Sequence, residues 1–129
     1  MNAGATFFFD FNGEGKHLWI VVSDPLASSV LVANFTTFRG SGVFHDPACV
    51  VEKNEHPALA HRSWVRYQDA RLVSGLGLIK AINQRTLDCH QDLSFELLRR
   101  VRIGAGESEF LRLEYRKLLV DQGLIDDSF

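Results

Sequence analysis

Two short apolar runs constrain the fold of this chain more than any other feature. They occupy residues 18–22 and 30–35, and a polar turn that contains proline, SDPLASS, joins them. Each run is rich in β-branched and aromatic residues and is too short for a helix, so both are predicted to be buried strands. We therefore expect a β-hairpin at the centre of the molecule.

Polar residues stand at the outer ends of this predicted hairpin. In an antiparallel pair the end of the second strand lies beside the start of the first, so His17, Thr36 and Thr37 are expected to meet at one rim of the sheet. Histidine exchanges a proton readily near neutral pH, and a threonine hydroxyl can donate a hydrogen bond to a phosphoryl oxygen. The rim therefore fits metal-free RNA cleavage, in which the 2′-hydroxyl attacks the adjacent phosphate. The alternative is that these residues only end two strands.

The rest of the chain predicts further strands and then helices. Strands are expected at residues 6–11, 49–51 and 63–67, and residues 78–82 fit a short strand or a helical turn. One helix follows with Asp92 or Ser94 as its N-cap and ends at Gly104 and Gly106. A second helix is predicted at about residues 107–121, closed by Gly123, before a frayed tail at residues 124–129.

Strands followed by helices predict an α+β fold. We expect a single domain over residues 1–129, with a small antiparallel barrel or strongly bent sheet at about residues 5–82. Two C-terminal helices at about residues 88–122 would cover it.

The composition is that of an ordinary soluble domain. Hydrophobic residues make up 46% of the chain and charged residues 23%, and no apolar run approaches the ~20 residues that cross a bilayer. The first residues lack the basic segment of a signal peptide, so we expect a cytoplasmic protein with no membrane partner. Cys49 and Cys89 show no CxxC spacing and are predicted to be reduced thiols rather than zinc ligands.

Charge and aromatic residues suggest where a nucleic acid would bind. The net charge of −2 argues against a protein that coats duplex DNA, and basic residues are concentrated in residues 61–129. Aromatic rings beside basic groups can stack on single-stranded bases. The candidate RNA-binding residues are Lys16, Arg39, Arg62 and Trp64. The alternative for Trp64 is that it belongs to a strand with one buried face and one solvent-exposed face.

A metal site is not expected. His56 and His61 could join Asp46 as ligands, but their spacing of five residues places them on neither one side of a helix nor one side of a strand. We predict exposed loop histidines instead. The established nucleotide-binding and hydrolase motifs are absent from the sequence, and no cofactor is predicted.

Several segments resemble the MazF/PemK-like ribosome-independent toxins. A glycine-containing loop, a basic residue and a strand that ends in a polar turn read GEGKHLWIVVSDP, and the next strand reads VLVANFTT. The later segment CVVEKNEHPALAHRSWVRYQDARLV follows the order of strands and turns of that family. The resemblance covers roughly residues 11–73.

The resemblance implies an SH3-like barrel, usually a homodimer, that cleaves single-stranded RNA without metal and is neutralised by an antitoxin. The family's catalytic threonine falls on Thr36, and its catalytic arginine falls on His17, with Lys16 before it. Histidine cannot supply the bidentate guanidinium, so either Lys16 takes the phosphate role or the activity has changed or been lost. The alternatives are a non-catalytic module of the same fold that binds a peptide or protein partner, and a structural component whose helices assemble.

Overall fold

The fold is α+β and is built on one antiparallel sheet. The computed structural model describes residues 1–127. Its elements are β1 (Thr6–Phe9), β2 (His17–Val21), β3 (Ser29–Thr37), β4 (Val50–Val51), β5 (Ser63–Ser74), α1 (Gly75–Asn83), β6 (Asp88–His90), α2 (Phe95–Glu107) and α3 (Leu113–Asp121). The six strands lie in the order β4–β5–β3–β2–β1–β6 and curl into a half-barrel. The predicted α+β class with an antiparallel sheet and covering helices is confirmed.

The predicted central hairpin is confirmed. β2 and β3 pair with Leu18 opposite Phe35 and Trp19 opposite Asn34, in the middle of the sheet. Because side chains alternate along a strand, Leu18 and Phe35 point into a core formed with α2 and α3. Trp19 and Val32 point to the other face, where α1 supplies Leu78. Both faces are therefore buried, which explains why the two runs are apolar at every position except Asn34.

Helix α2 begins where the sequence predicts and ends later. The Ser94 hydroxyl accepts a hydrogen bond from the backbone N–H of Leu97 at 3.1 Å, so Ser94 is the N-cap. The helix continues through Gly104 and Gly106 to Glu107, so the predicted end was wrong. A Cβ at Gly104 would lie 2.9 Å from the Cβ of Cys49. Gly104 therefore allows close packing against the sheet rather than ending the helix.

Two elements between residues 75 and 90 differ from the prediction. Residues 75–83 form α1, with Gly77 N–H donating to the Ser74 hydroxyl at 3.2 Å as its cap. β6 follows α1 and pairs with β1, with Phe7 opposite Cys89. The sheet therefore extends past residue 82, and the C-terminal helical part begins at Phe95 rather than at about residue 88. All three residues of β6 are exposed, so no apolar pattern marks this strand.

The C-terminal part is packed rather than frayed as far as it is described. α3 begins at Leu113, later than predicted, and Gly123 with φ +73° follows it as predicted. Leu124 and Ile125 pack against the core. Residues 128 and 129 of the predicted frayed tail lie outside the described residues. Within residues 1–127 no helix has the length and apolar character needed to cross a membrane.

β5 contains a large bulge. Val32 pairs with Arg71 and Asn34 pairs with Arg66, so two steps along β3 correspond to five along β5. The three extra residues on β5 go beyond an ordinary one-residue bulge. They keep Arg66 and Arg71 on the same face of the sheet, because directly paired residues share a face.

His56 connects the two edges of the half-barrel. It lies in the loop between β4 and β5 and is only 2% exposed. Its Nε2 lies 2.5 Å from the carbonyl oxygen of Gln91, just after β6, and its Nδ1 accepts from the backbone N–H of Ala58 at 3.1 Å. Both contacts fit a neutral imidazole that carries its proton on Nε2. The prediction of an exposed loop histidine was therefore wrong for His56.

Candidate functional site

The candidate site lies on the α1-facing side of the sheet, at the end where β2 begins and β3 ends. A row of side chains crosses four strands there: Phe9, His17, Thr36 and Trp64. Phe9 pairs with His17, and Thr36 pairs with Trp64. The β2–β3 register extended by one residue places His17 opposite Thr36, where Cβ atoms lie about 4.5–5.5 Å apart. The structure thus brings these two predicted site residues together.

Thr37 lies on the other face. It follows Thr36 in β3 and pairs with the buried Ser63, on the side that Phe35 shares. Successive side chains of a strand alternate between faces, so Thr36 and Thr37 cannot serve one site. The predicted three-residue rim therefore consists of His17 and Thr36.

Two hydrogen bonds and an ion pair link Thr36 to an arginine of the neighbouring strand. The Thr36 hydroxyl donates to Asn34 Oδ1 at 3.4 Å, and Asn34 Nδ2 donates to Asp69 Oδ2 at 3.3 Å. Arg66 Nε lies 3.0 Å from the same carboxylate oxygen and forms an ion pair with it. Asn34 is 1% exposed, whereas the Arg66 side chain is one-third exposed. We call these four residues the Thr36–Arg66 network.

Three members of this network were missing from the predicted site. Asn34 offered a signal, since a lone amide inside an apolar strand needs buried hydrogen-bond partners. Arg66 and Asp69 offered no sign of a place beside Asn34, because Arg66 lies opposite it through the long-range pairing of β3 with β5 and Asp69 lies in the bulge that follows. Bulges often re-aim side chains next to active sites.

An aromatic cluster borders the site on the β1 side. Phe11 lies edge-on to Phe9 and to Trp19, with 4.6 Å between ring centroids in each pair. The Arg71 guanidinium lies 4.8 Å from the centroid of Phe11, within range of a cation–π contact. We call Phe9, Phe11, Trp19 and Arg71 the β1-side cluster.

A second aromatic cluster borders the site on the β5 side. Phe44, from the loop after β3, lies edge-on to Trp64 at 6.0 Å between centroids, and His45 lies at 6.4 Å from the same ring. The Arg66 guanidinium lies 5.6 Å from the Trp64 centroid. We call Phe44, His45, Trp64 and Arg66 the β5-side cluster. His17 and Thr36 therefore lie between two aromatic–arginine clusters.

Lys16 points away from this site. Its ammonium lies 3.3 Å from Asp88 in β6, on the far side of β1. Thr36 lies in the opposite direction across the sheet, on β3. The structure therefore does not bring Lys16 and Thr36 together.

The other predicted RNA-binding residues surround the β5-side cluster. Arg62 bonds Glu52 at 2.8 Å and lies 5.5 Å from the centroid of Phe38. Arg39 is exposed in the loop after β3. Trp64 is only 3% exposed, so its ring face is covered by neighbouring side chains and the exposed aromatic surface belongs to Phe44.

The acidic, histidine and cysteine side chains do not converge on a metal centre. Across residues 1–127, no group of three or more such side chains could hold an ion. Asp46 is buried and accepts a hydrogen bond from the Ser108 hydroxyl at 2.6 Å, while His61 is exposed. Cys49 and Cys89 are free thiols, and burial raises the pKa of Cys49 to about 11.

The sequence matches no protein-family model, and no curated protein is significantly similar to it. The function of this chain is therefore inferred from its own site and sequence.

Proposed function

We propose that this protein is a metal-independent endoribonuclease for single-stranded RNA, with an SH3-like barrel of the MazF/PemK kind. The Thr36–Arg66 network is the observation that carries the proposal. The resemblance places a histidine where the family has its arginine, and the network supplies a guanidinium from the neighbouring strand instead. A guanidinium can bind two phosphate oxygens at once. The homodimer, the antitoxin partner and the cytoplasmic location belong to the same proposal.

The residues divide the reaction between them. Thr36 and Arg66 bind the non-bridging oxygens and stabilise the charge that develops on the phosphate. His17 removes the proton from the 2′-hydroxyl, and the 2′-oxygen forms a bond to phosphorus. The bond to the 5′-oxygen breaks, that oxygen takes a proton from water, and the hydroxide left behind takes the proton from His17. The products are a 2′,3′-cyclic phosphate and a 5′-hydroxyl.

The network prepares Arg66 for a phosphate. Asp69 forms an ion pair at Nε, and the Gln68 amide, turned so that its oxygen faces the guanidinium, accepts from Nε and Nη2. A guanidinium has five N–H donors, so the two on Nη1 and the second on Nη2 are left for substrate. The 3.4 Å bond from Thr36 to Asn34 is long, and the hydroxyl can rotate to donate to a phosphate.

The direct test is cleavage of a mixed single-stranded RNA pool in EDTA. We expect cyclic-phosphate ends with the wild type and no cleavage with His17→Ala. Arg66→Ala should lower kcat/KM by about 10²–10³, as loss of one charge-stabilising donor does. Arg66→Lys should restore little, because an ammonium does not bind bidentately. Thr36→Val should also lower kcat/KM, because it removes the hydroxyl that binds a phosphate oxygen.

Arg112→Ala is the matched control, since Arg112 is an exposed arginine at the start of α3. Thermal unfolding of each variant separates loss of chemistry from loss of fold. A wild-type protein that leaves the RNA pool intact would refute the nuclease.

The second candidate is a non-catalytic module that binds a peptide or protein. A groove of about 450 Å³ between α2 and the C-terminal segment favours it. Leu98, Ile103 and Ile125 line this groove, and Phe95 at its edge is 84% exposed. A protein that neither cuts nor binds RNA but loses a copurifying partner on Ile103→Glu substitution would support this function instead.

A further inference from the structure

The two aromatic clusters flank the site in a way that suggests how a substrate lies on it. We propose that the β1-side and β5-side clusters are base-stacking subsites, which hold the nucleotides on either side of the scissile phosphate. This inference rests on the proposed function, because it concerns the substrate of the same site. In this arrangement the bases of the RNA are unstacked from one another, and Phe11 and Phe44 are the rings that contact them.

The order of the strands sets the arrangement. The row Phe9–His17–Thr36–Trp64 crosses β1, β2, β3 and β5, which are neighbours in the sheet. Three strand spacings separate its ends, about 14 Å. The two half-buried polar side chains that would contact the phosphate lie in the middle, and an aromatic cluster lies at each end. A strand of RNA laid across the sheet would therefore meet a ring, a phosphate site and a second ring in that order.

The loops supply the accessible rings. Phe44 is 56% exposed, and its two ring neighbours, Trp64 and Phe110, meet it edge-on at 87° and 84°. Phe11 comes from the loop after β1 and covers Trp19 at 83°. Each loop ring is thus held by perpendicular contacts against a buried tryptophan. Rings fixed in this way can stack on a base with little loss of conformational freedom.

Arg71 supplies a charge beside the β1-side ring. Its nearest polar contact is the amide oxygen of Asn12 at 3.5 Å, which is neutral. Within residues 1–127 it forms no ion pair with a carboxylate, in contrast to Arg66. Arg71 is therefore available for the phosphate next to the scissile one. Arg62, which lies beside Phe38, has the corresponding place near the β5-side cluster. Unlike Arg71, it forms an ion pair with a carboxylate, that of Glu52.

Single-stranded RNA is the occupant that these features fit. A duplex keeps its base faces stacked, so exposed rings would have nothing to contact. The net charge of −2 disfavours broad electrostatic binding, whereas a few arginines beside rings suit a short single-stranded segment. The rings accept any base, so the subsites should tolerate sequence changes.

Tryptophan fluorescence can measure this binding directly. Trp19 and Trp64 are the two tryptophans of the chain, and each lies beneath one of the rings. The probe is a 12-nucleotide single-stranded RNA with 2′-O-methyl sugars, which lacks the attacking hydroxyl and cannot be cut. We expect it to quench the emission of the wild type in EDTA, and of a Trp19→Phe variant that reports from Trp64 alone.

Removal of either ring should weaken this binding. Phe44→Ala should raise the Kd about 5- to 150-fold, the loss that corresponds to one stacked base. Phe44→Tyr should keep the affinity. Phe11→Leu should raise the Kd similarly, because leucine still covers Trp19 but offers no aromatic face. Arg71→Ala should weaken binding and flatten its dependence on salt. Leu113→Ala, an exposed apolar residue on α3, is the matched control.

The outcomes separate this inference from the nuclease proposal. Suppose that the wild type cuts RNA and that Phe44→Ala and Phe11→Leu have the same Kd for the probe as the wild type. The base-stacking subsites are then refuted, and the nuclease proposal stands. If the wild type binds the probe, depends on both rings and does not cut unmodified RNA, the subsites stand and the nuclease is wrong. A wild type that does not bind the probe overturns the subsites.

Discussion

Cys49 and Cys89 carry the same thiol in opposite surroundings. Cys49 lies in the core beside Tyr67 and Gly104, and Cys89 is exposed on the edge strand β6. Burial raises the pKa of Cys49 to about 11, so its reactive thiolate is scarce at ordinary pH. The position of each thiol in the fold therefore decides its chemistry.

We expect iodoacetamide at pH 8 to modify Cys89 and leave Cys49 intact in the folded protein. Mass spectrometry of peptides after a short exposure would show this, with urea-unfolded protein as the control in which both are modified. Equal modification of both cysteines in the folded state would contradict the buried position of Cys49.

The Cys49 thiol also makes the free energy of unfolding fall at alkaline pH. The folded state keeps Cys49 protonated to about pH 11, whereas in the unfolded chain it ionises near the ordinary value of 9.0. Its contribution to the free energy of unfolding is therefore complete below about pH 9 and is lost as the pH rises toward 11. Burial also raises the pKa of Tyr67, which adds a loss in the same direction at higher pH.

The site shows how far sequence reasoning reaches at the level of residues. The pairing of His17 with Thr36 could be predicted, because a hairpin register follows from two apolar runs and the turn between them. The position of Thr37 on the other face could also be predicted, because successive side chains of a strand alternate between the two faces of a sheet. Arg66 and Asp69 could not be predicted to join the site, because Arg66 depends on the long-range pairing of β3 with β5 and Asp69 on the bulge after it.

At the level of elements, α2 is held against the sheet by close contacts around Gly104. A Cβ there would lie 3.0 Å from the carbonyl oxygen of Ala48 and closer still to Cys49. The Tyr67 hydroxyl donates to the carbonyl oxygen of Val101 at 2.6 Å in the same region. The sequence indicated a helix end at this glycine because local helix rules contain no information about a neighbouring strand.

Gly104→Ala should destabilise the protein by about 1–3 kcal/mol, the usual cost of added volume in a packed core. Urea unfolding followed by circular dichroism would measure it. Gly106→Ala is a control in the same helix, since its Cβ would meet Ile125 at an ordinary 3.7 Å and alanine favours helix. Equal effects of the two substitutions would show that close packing at Gly104 is not the cause.

At the level of the whole molecule, the half-barrel is joined at its open side by side chains. β4 and β6 are the edges of the sheet, and His56 reaches the Gln91 carbonyl just beyond β6. The Thr6 hydroxyl donates to the same carbonyl at 2.7 Å. The strand pattern predicted a bent sheet but could not show how its edges meet, because the connection depends on one histidine and one carbonyl far apart in sequence.

We expect His56→Ala to lower the free energy of unfolding by about 2–3 kcal/mol, because it removes the imidazole that donates to the Gln91 carbonyl and accepts from the partly buried Ala58 N–H. Hydrogen exchange should then rise at β4 and β6 before it rises at β2 and β3. His61→Ala, at an exposed position five residues away, should change stability by less than about 0.5 kcal/mol. Exchange that rises evenly over all strands would argue against a local closure.

The bulge in β5 also affects which insertions and deletions this chain can accept. Loss of all three extra residues between Arg66 and Arg71 would leave two steps on each strand, a regular ladder that keeps both arginines on their present face. Loss of two would leave an ordinary one-residue bulge with the same faces. In a regular strand, by contrast, one lost residue turns every later side chain to the other face. Natural length variation within β5 should therefore be concentrated between Arg66 and Arg71.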